Sequence, residues 1–159
     1  MIRFDWLSRS EEETERFGRA LGQAVAPPVW IGLTGPLGAG KTRLAAGVAH
    51  GLGYLGRVRS PTFVLENRYR GRAPLRHLDL YRLEAPDEEL VASWDEDDRS
   101  VILVEWAERA AERPRRTIEI TLDPLGDQER WIRLRWDPRL DLIGDLRLES
   151  LARSHGVEA

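Results

Sequence analysis

The chain is predicted to be an α/β protein, and three observations carry the prediction. An apolar run at 29–33 leads through a glycine-rich turn straight into a helical pattern at 41–52. Val101, Ile102, Leu103 and Val104 are four apolar residues in a row, which suits a strand covered on both faces. Two pairs of alternating segments, 63–69 with 75–83 and 117–122 with 130–136, read as hairpins.

The other elements follow in order. Residues 2–7 alternate as a strand does. Ser10 and Glu13 form a capping-box signature that opens a helix to about Val25. Phe17, Leu21, Ala24 and Val25 are its expected apolar stripe, and Pro27 with Pro28 stops it. Gly51 and Gly53 end the helix at 41–52. Pro86 opens a short helix through 88–91. Another short helix, at 107–112, ends before Pro114. Asp137 and Pro138 are placed to start a last helix through about Ser154. There is no internal repeat, low-complexity tract or linker. The 159 residues are therefore read as a single domain, 1–159.

Composition excludes several classes. The absence of cysteine removes disulfide scaffolds, thiol nucleophiles and Cys-based metal sites. A net charge of −3 does not indicate a globally basic nucleic-acid binder. No apolar run reaches the roughly 18 residues that span a bilayer. The N-terminus lacks an apolar signal core. The expectation is a cytoplasmic protein with no membrane partner. Of 24 basic residues all but one are Arg, and Lys41 is the only lysine. The scarcity of Asn, Gln, Met and Cys suits a thermophile, and high genomic GC content explains the arginine bias equally well. Charge is segregated. Seven Arg stand against Glu66 and Asp79 between 57 and 82, and eight acids without a base occupy 84–98. Such runs are usually solvated faces; the alternative is a basic lip over an anionic ligand beside an acidic partner surface.

The turn Gly35, Pro36, Leu37, Gly38, Ala39, Gly40, Lys41, Thr42 fits G-x-x-x-x-G-K-[ST]. Glycines permit close backbone approach to phosphate oxygens. Successive N–H groups make an anion nest. The following helix presents its positive end. Lys41 is a compact cation for the β and γ phosphates, a place a planar guanidinium fits poorly. Thr42 is an oxygen ligand for Mg²⁺. The one lysine of the chain standing here, between a strand and a helix pattern, argues against an ordinary glycine turn.

Such a site needs carboxylates. Glu105 directly follows the 101–104 run and could organise a magnesium-bound water or act as general base. Strand period puts His77, Asp79 and Tyr81 on one face, where Asp79 is a candidate second magnesium-shell carboxylate; the alternative is the wet face of an antiparallel strand. Pro61 holds Ser60 extended, and Thr62 is a candidate γ-phosphate contact in a switch-like loop, or part of a plain turn. His50, His77 and His155 lack ligand spacing. Trp6, Trp30, Trp131 and Trp136 fall in strand patterns and read as core, whereas Trp106 stands beside Glu105.

These stretches together resemble the bacterial TsaE family of tRNA threonylcarbamoyladenosine biosynthesis ATPases. The blocks are LTGPLGAGKT (33–42), GLG (51–53), VRSPTFVLENRY (58–69), HLDLYRL (77–83), EEL (88–90) and VILVEWAER (101–109). They cover about half the chain. SPTF followed by H-x-D-x-Y-R and EW is far more specific than the loop alone. The resemblance implies a P-loop NTPase-like three-layer α/β fold, with a mostly parallel central sheet and antiparallel additions. It implies an ATP- and Mg²⁺-dependent accessory in threonylcarbamoyl modification of the adenosine beside the tRNA anticodon. The implied partners are a TsaD-like carbamoyltransferase and a TsaB-like protein, with tRNA engaged indirectly. Hydrolysis would reset the complex between rounds. It also implies Lys41, Asp79 and Glu105 as catalytic groups and Thr42, Asp79 and Glu105 around the metal. Gly35, Leu37, Gly38, Ala39, Gly40, Lys41, Thr42, Arg43, Thr62 and Trp106 would bind nucleotide. Arg43 departs from the second Thr common in the family, and 91–100 is short beside its usual form.

A GTPase is disfavoured, because its N-K-x-D motif needs a second lysine. A small-molecule kinase, with Arg82 or Arg109 as a lid residue, is the enzymatic rival. A nucleotide-dependent binding module with negligible turnover is the non-enzymatic one.

Overall fold

The computed structural model describes residues 2–140. Seven strands, β1 (Ile2–Ser8), β2 (Val29–Thr34), β3 (Glu66–Arg70), β4 (Pro74–Asp79), β5 (Val101–Glu105), β6 (Thr117–Pro124) and β7 (Arg130–Trp136), form one sheet. Its order is β1-β7-β6-β2-β5-β4-β3. The four central strands run parallel. The antiparallel pairs lie outside them, β7 on β6, β1 on β7 and β3 on β4. β2 and β5 are buried along nearly their whole length, as strands covered on both faces must be.

Helices α1 (Glu11–Ala24) and α2 (Lys41–Gly51) share one core cluster with the sheet. Helix α3 (Glu88–Glu96) and the 3₁₀ turn Ala107–Arg109 enclose the second, where Trp94 meets Trp30. The result is the expected three-layer α/β architecture. Ser10 caps α1 by accepting from the Glu13 N–H, and the Glu13 carboxylate reaches back to the Arg9 N–H. Phe17 and Leu21 are fully buried. α1 and α2 touch through backbone. A Cβ on Gly18 would lie 2.3 Å from the Leu44 carbonyl oxygen, and one on Gly47 2.2 Å from that of Glu15.

Several boundaries differ from the expectation. β4 stops at Asp79 instead of continuing to Leu83, because the Asp79 carboxylate accepts the Tyr81 N–H and turns the chain. Tyr81 therefore leaves the strand. β3 begins at Glu66, after Leu65 in a left-handed conformation (φ 68°). α3 runs on to Glu96, capped by Asp87. The helix expected at 107–112 is one 3₁₀ turn. Trp131 is half-buried, whereas Trp6, Trp30 and Trp136 are core. The helix expected after Pro138 lies outside the described residues. Among those described, no helix is long and apolar enough to cross a membrane.

Candidate functional site

The parallel register assembles the site. Leu33 on β2 aligns with Glu105 on β5, and Glu105 aligns with Asp79 on β4. The three strands end together, so the two acids stand beside the loop that leaves β2. Between that loop and the two acids lies a cleft of about 360 Å³. Leu37, Gly38, Ala39, Gly40, Lys41, Thr42 and Arg43 line one side, and Thr62, Asp79, Glu105 and Trp106 the other. Gly35 is buried just behind, where a Cβ would meet the Leu122 carbonyl oxygen at 2.6 Å. Gly38 (φ 77°) and Gly40 (φ 98°) adopt the left-handed conformations that the loop needs. Gly40 caps α2 with no side-chain hydrogen bond, so no side chain covers the first-turn amides at the head of the helix.

Lys41 is 6% exposed. Its Nζ donates to the carbonyl oxygens of Gly35 (2.6 Å) and Pro36 (2.9 Å) and stands 4.1 Å over the Trp106 ring. Burial holds this ammonium below the usual lysine range, against the opposing pull of Glu105, Glu108 and Asp79. Trp106 holds a left-handed conformation (φ 58°) immediately after β5, which aims its ring across the cleft, and Tyr81 packs against it.

The acids are buried, Asp79 at 4% and Glu105 at 2% exposure. Asp79 Oδ2 accepts hydrogen bonds from Thr62 Oγ1 (2.9 Å) and Ser60 Oγ (3.4 Å). The 60–62 segment is thus tied to β4 and is more than a turn into a strand. His77 Nε2 donates to Glu105 Oε1 at 3.2 Å, in full burial. The wet-face alternative for β4 is excluded by that burial. Arg43 turns to α1, where it pairs with Glu11 (2.8 Å) and Glu15 (3.5 Å).

Among the described residues no three His, Cys, Asp or Glu side chains form a metal cluster. Two carboxylates and the Thr42 hydroxyl in one cleft are an all-oxygen set. That set fits Mg²⁺, which is commonly held by one or two carboxylates with phosphate oxygens and water completing its shell.

One residue escaped the sequence reading. Arg130, at the start of β7, donates Nε to the Ala39 carbonyl (2.8 Å) and Nη2 to that of Gly38 (3.2 Å). It is 91 residues from Ala39 in a strand pattern, and nothing in the sequence signals the contact.

A glycine loop of this conformation, between a central parallel strand and its crossover helix, defines the P-loop class of α/β proteins, and this chain is one of them. Within that class it belongs to the family described as threonylcarbamoyl adenosine biosynthesis protein TsaE, whose model matches residues 8–132. It is 37% identical over 134 residues to the tRNA threonylcarbamoyladenosine biosynthesis protein TsaE of Bacillus subtilis, covering 83% of this chain and 85% of that one. The protein of the same name in Treponema pallidum is 38% identical over 129 residues, covering 79% and 96%. Among solved structures, Bacillus subtilis YdiB superposes with a TM-score of 0.73 at 29% identity, covering 96% of both chains.

Proposed function

We propose that this chain binds and hydrolyses ATP with Mg²⁺ as an accessory to threonylcarbamoyl modification of the adenosine beside the tRNA anticodon. It would act in the cytoplasm on a TsaD-like carbamoyltransferase and a TsaB-like partner, without touching the chemistry of transfer. The observation that carries the reading is Lys41, buried at the head of an uncapped helix and facing two buried carboxylates across one cleft. Family membership supplies the pathway.

In this reading the amides of Gly40, Lys41 and Thr42 at the head of α2 and the Lys41 ammonium grip the β and γ phosphates. Lys41 leaves the Gly35 and Pro36 carbonyls to do so. Thr42, Asp79 and Glu105 would hold Mg²⁺, directly or through water, and that ion would neutralise phosphate charge when bound. Glu105, kept in one rotamer by His77, orients the attacking water and takes its proton. Thr62 hydrogen bonds Asp79 and lines the cleft, so its loop would contact the terminal phosphate and its position could report whether that phosphate is present. Trp106 is a wall of the nucleotide site, and Arg43, held by Glu11 and Glu15, lines the same cleft from α2 as a further nucleotide contact.

The test is phosphate release from Mg-ATP by the purified chain, alone and with TsaD and TsaB homologues. Turnover that rises with the partners supports the reading. A rate and a nucleotide affinity that the partners leave unchanged would remove the accessory role. Phosphate passing to a small acceptor instead of water would replace it with a kinase.

A further inference from the structure

All five N–H donors of the Arg130 guanidinium are used, and every acceptor is a main-chain carbonyl. Nε and one Nη2 bond reach the phosphate loop, at Ala39 and Gly38. Nη1 binds Gly126 (2.8 Å) and Glu129 (2.9 Å), and the second Nη2 bond goes to Asp127 (3.3 Å), all in the turn between β6 and β7. The side chain is buried, and no carboxylate lies within ion-pairing distance of it among the described residues. A buried cation without a counter-charge is costly unless its hydrogen bonds are complete. Here they are complete, and they tie the phosphate loop to the β6–β7 turn.

The peptide unit is planar and trans, so an oxygen held on one side sets the N–H of the next residue on the other. Drawing the Ala39 carbonyl to Arg130 therefore turns the Gly40 N–H away from the guanidinium. The Ala39 N–H is fixed on the Pro36 carbonyl at 3.1 Å. Glycines at 38 and 40 would otherwise leave this backbone free to rotate. The other side-chain clasp on the loop is Lys41, on Gly35 and Pro36. That clasp opens when the ammonium turns to phosphate. Arg130 then keeps the loop in shape, and its charge adds to the positive potential behind it.

We infer that Arg130 is the positioning residue of the phosphate loop: it pre-sets the anion nest from outside by locking the 38–39 carbonyls to the β6–β7 turn. The inference rests on the nucleotide-binding reading and deepens it. A lysine at 130 keeps the charge but cannot span both segments with one nitrogen.

The experiment compares wild type, Arg130→Lys and Arg130→Gln by calorimetry with Mg-ADP, with circular dichroism and thermal unfolding as the folding controls. Both variants should bind about tenfold more weakly or worse, since two charge-assisted bonds to the loop are lost. In steady state KM should rise by a larger factor than kcat falls, because Arg130 touches no reacting atom. A merely structural role would lower kcat through loss of folded protein and leave the KM of the remainder unchanged. Full affinity in Arg130→Lys would reduce the residue to a charge and overturn the inference, as would an unshifted KM. Wild type that binds no Mg-ADP would instead sink the nucleotide-binding reading itself. Should both variants fail to fold, amide exchange on wild type decides. Mg-ADP should slow exchange in 125–129 together with 38–41; protection of the loop alone would overturn the clamp.

Discussion

Replacing Lys41 with Met keeps most of the stem and deletes the ammonium. That ammonium already has two carbonyl partners, at 2.6 and 2.9 Å, so a nucleotide must draw it away from them. Hydrogen bonds to a charged group are worth about 1.5–3 kcal/mol each, and those given up and those gained on phosphate largely offset one another. What remains is the ion pair itself. Truncating one partner of a buried charge pair costs about 3–5 kcal/mol. The loss is therefore about 3–5 kcal/mol, or roughly 150- to 5,000-fold in affinity. Titration calorimetry with Mg-ADP and Mg-ATP reads this directly, and unfolding curves confirm that the variant folds. Lys41→Arg should not restore binding, because the planar fork does not fit a cradle built for a compact head. A Met variant within threefold of wild type would refute the reasoning and leave the loop amides as the whole phosphate grip.

Other outcomes follow from the same geometry. Glu105→Gln preserves shape and should leave Mg-ATP affinity within a few fold while single-turnover hydrolysis falls by about 10²–10⁴; equal turnover would remove Glu105 from the mechanism. Gly47→Ala places a methyl 2.2 Å from the Glu15 carbonyl oxygen and should destabilise the fold by about 1–3 kcal/mol in urea titrations; an unchanged midpoint would mean that the helices separate freely. Lys41 titrates below its unfolded value of 10.5, so the folded chain releases this proton at lower pH than the unfolded chain does. Nucleotide affinity should therefore decline on the alkaline side before an ordinary lysine would titrate. Over that same window the Lys41 contribution to stability should rise with pH, and in Lys41→Met this rise should vanish from unfolding curves.

The loop was legible because its parts are contiguous: eight residues encode backbone freedom, charge and hydroxyl together. Glu105 was legible because it directly follows an apolar run, and Asp79 because strand alternation sets it on a polar face with His77; the parallel register then brings the two side by side. What the chain order hides is distance. The bonds from Arg130 to Gly38 and Ala39 cross some ninety residues and have acceptors that every residue possesses, so no pattern of side chains announces them. His77 was visible as a polar residue on a strand, but its bond to Glu105 depends on β4 lying next to β5, which periodicity does not report. The premature end of β4 has a local cause that periodicity also misses, namely a carboxylate accepting a backbone N–H two residues on. α3 runs past Val91 because Trp94, one turn on from Leu90, packs on Trp30 and anchors the last turn.

The seam of glycines between α1 and α2 has a mechanical consequence. Helices whose main chains touch have no cushion of side chains to compress, so α2 cannot tilt or slide on α1 without breaking contacts all along its length. The bank of the cleft that carries the loop is therefore the fixed jaw. If the chain hydrolyses ATP as proposed, shape change on loss of the terminal phosphate would fall to the opposite bank, where the 60–62 segment is moored to Asp79 by hydroxyl bonds that can be exchanged one at a time while the core stays in place.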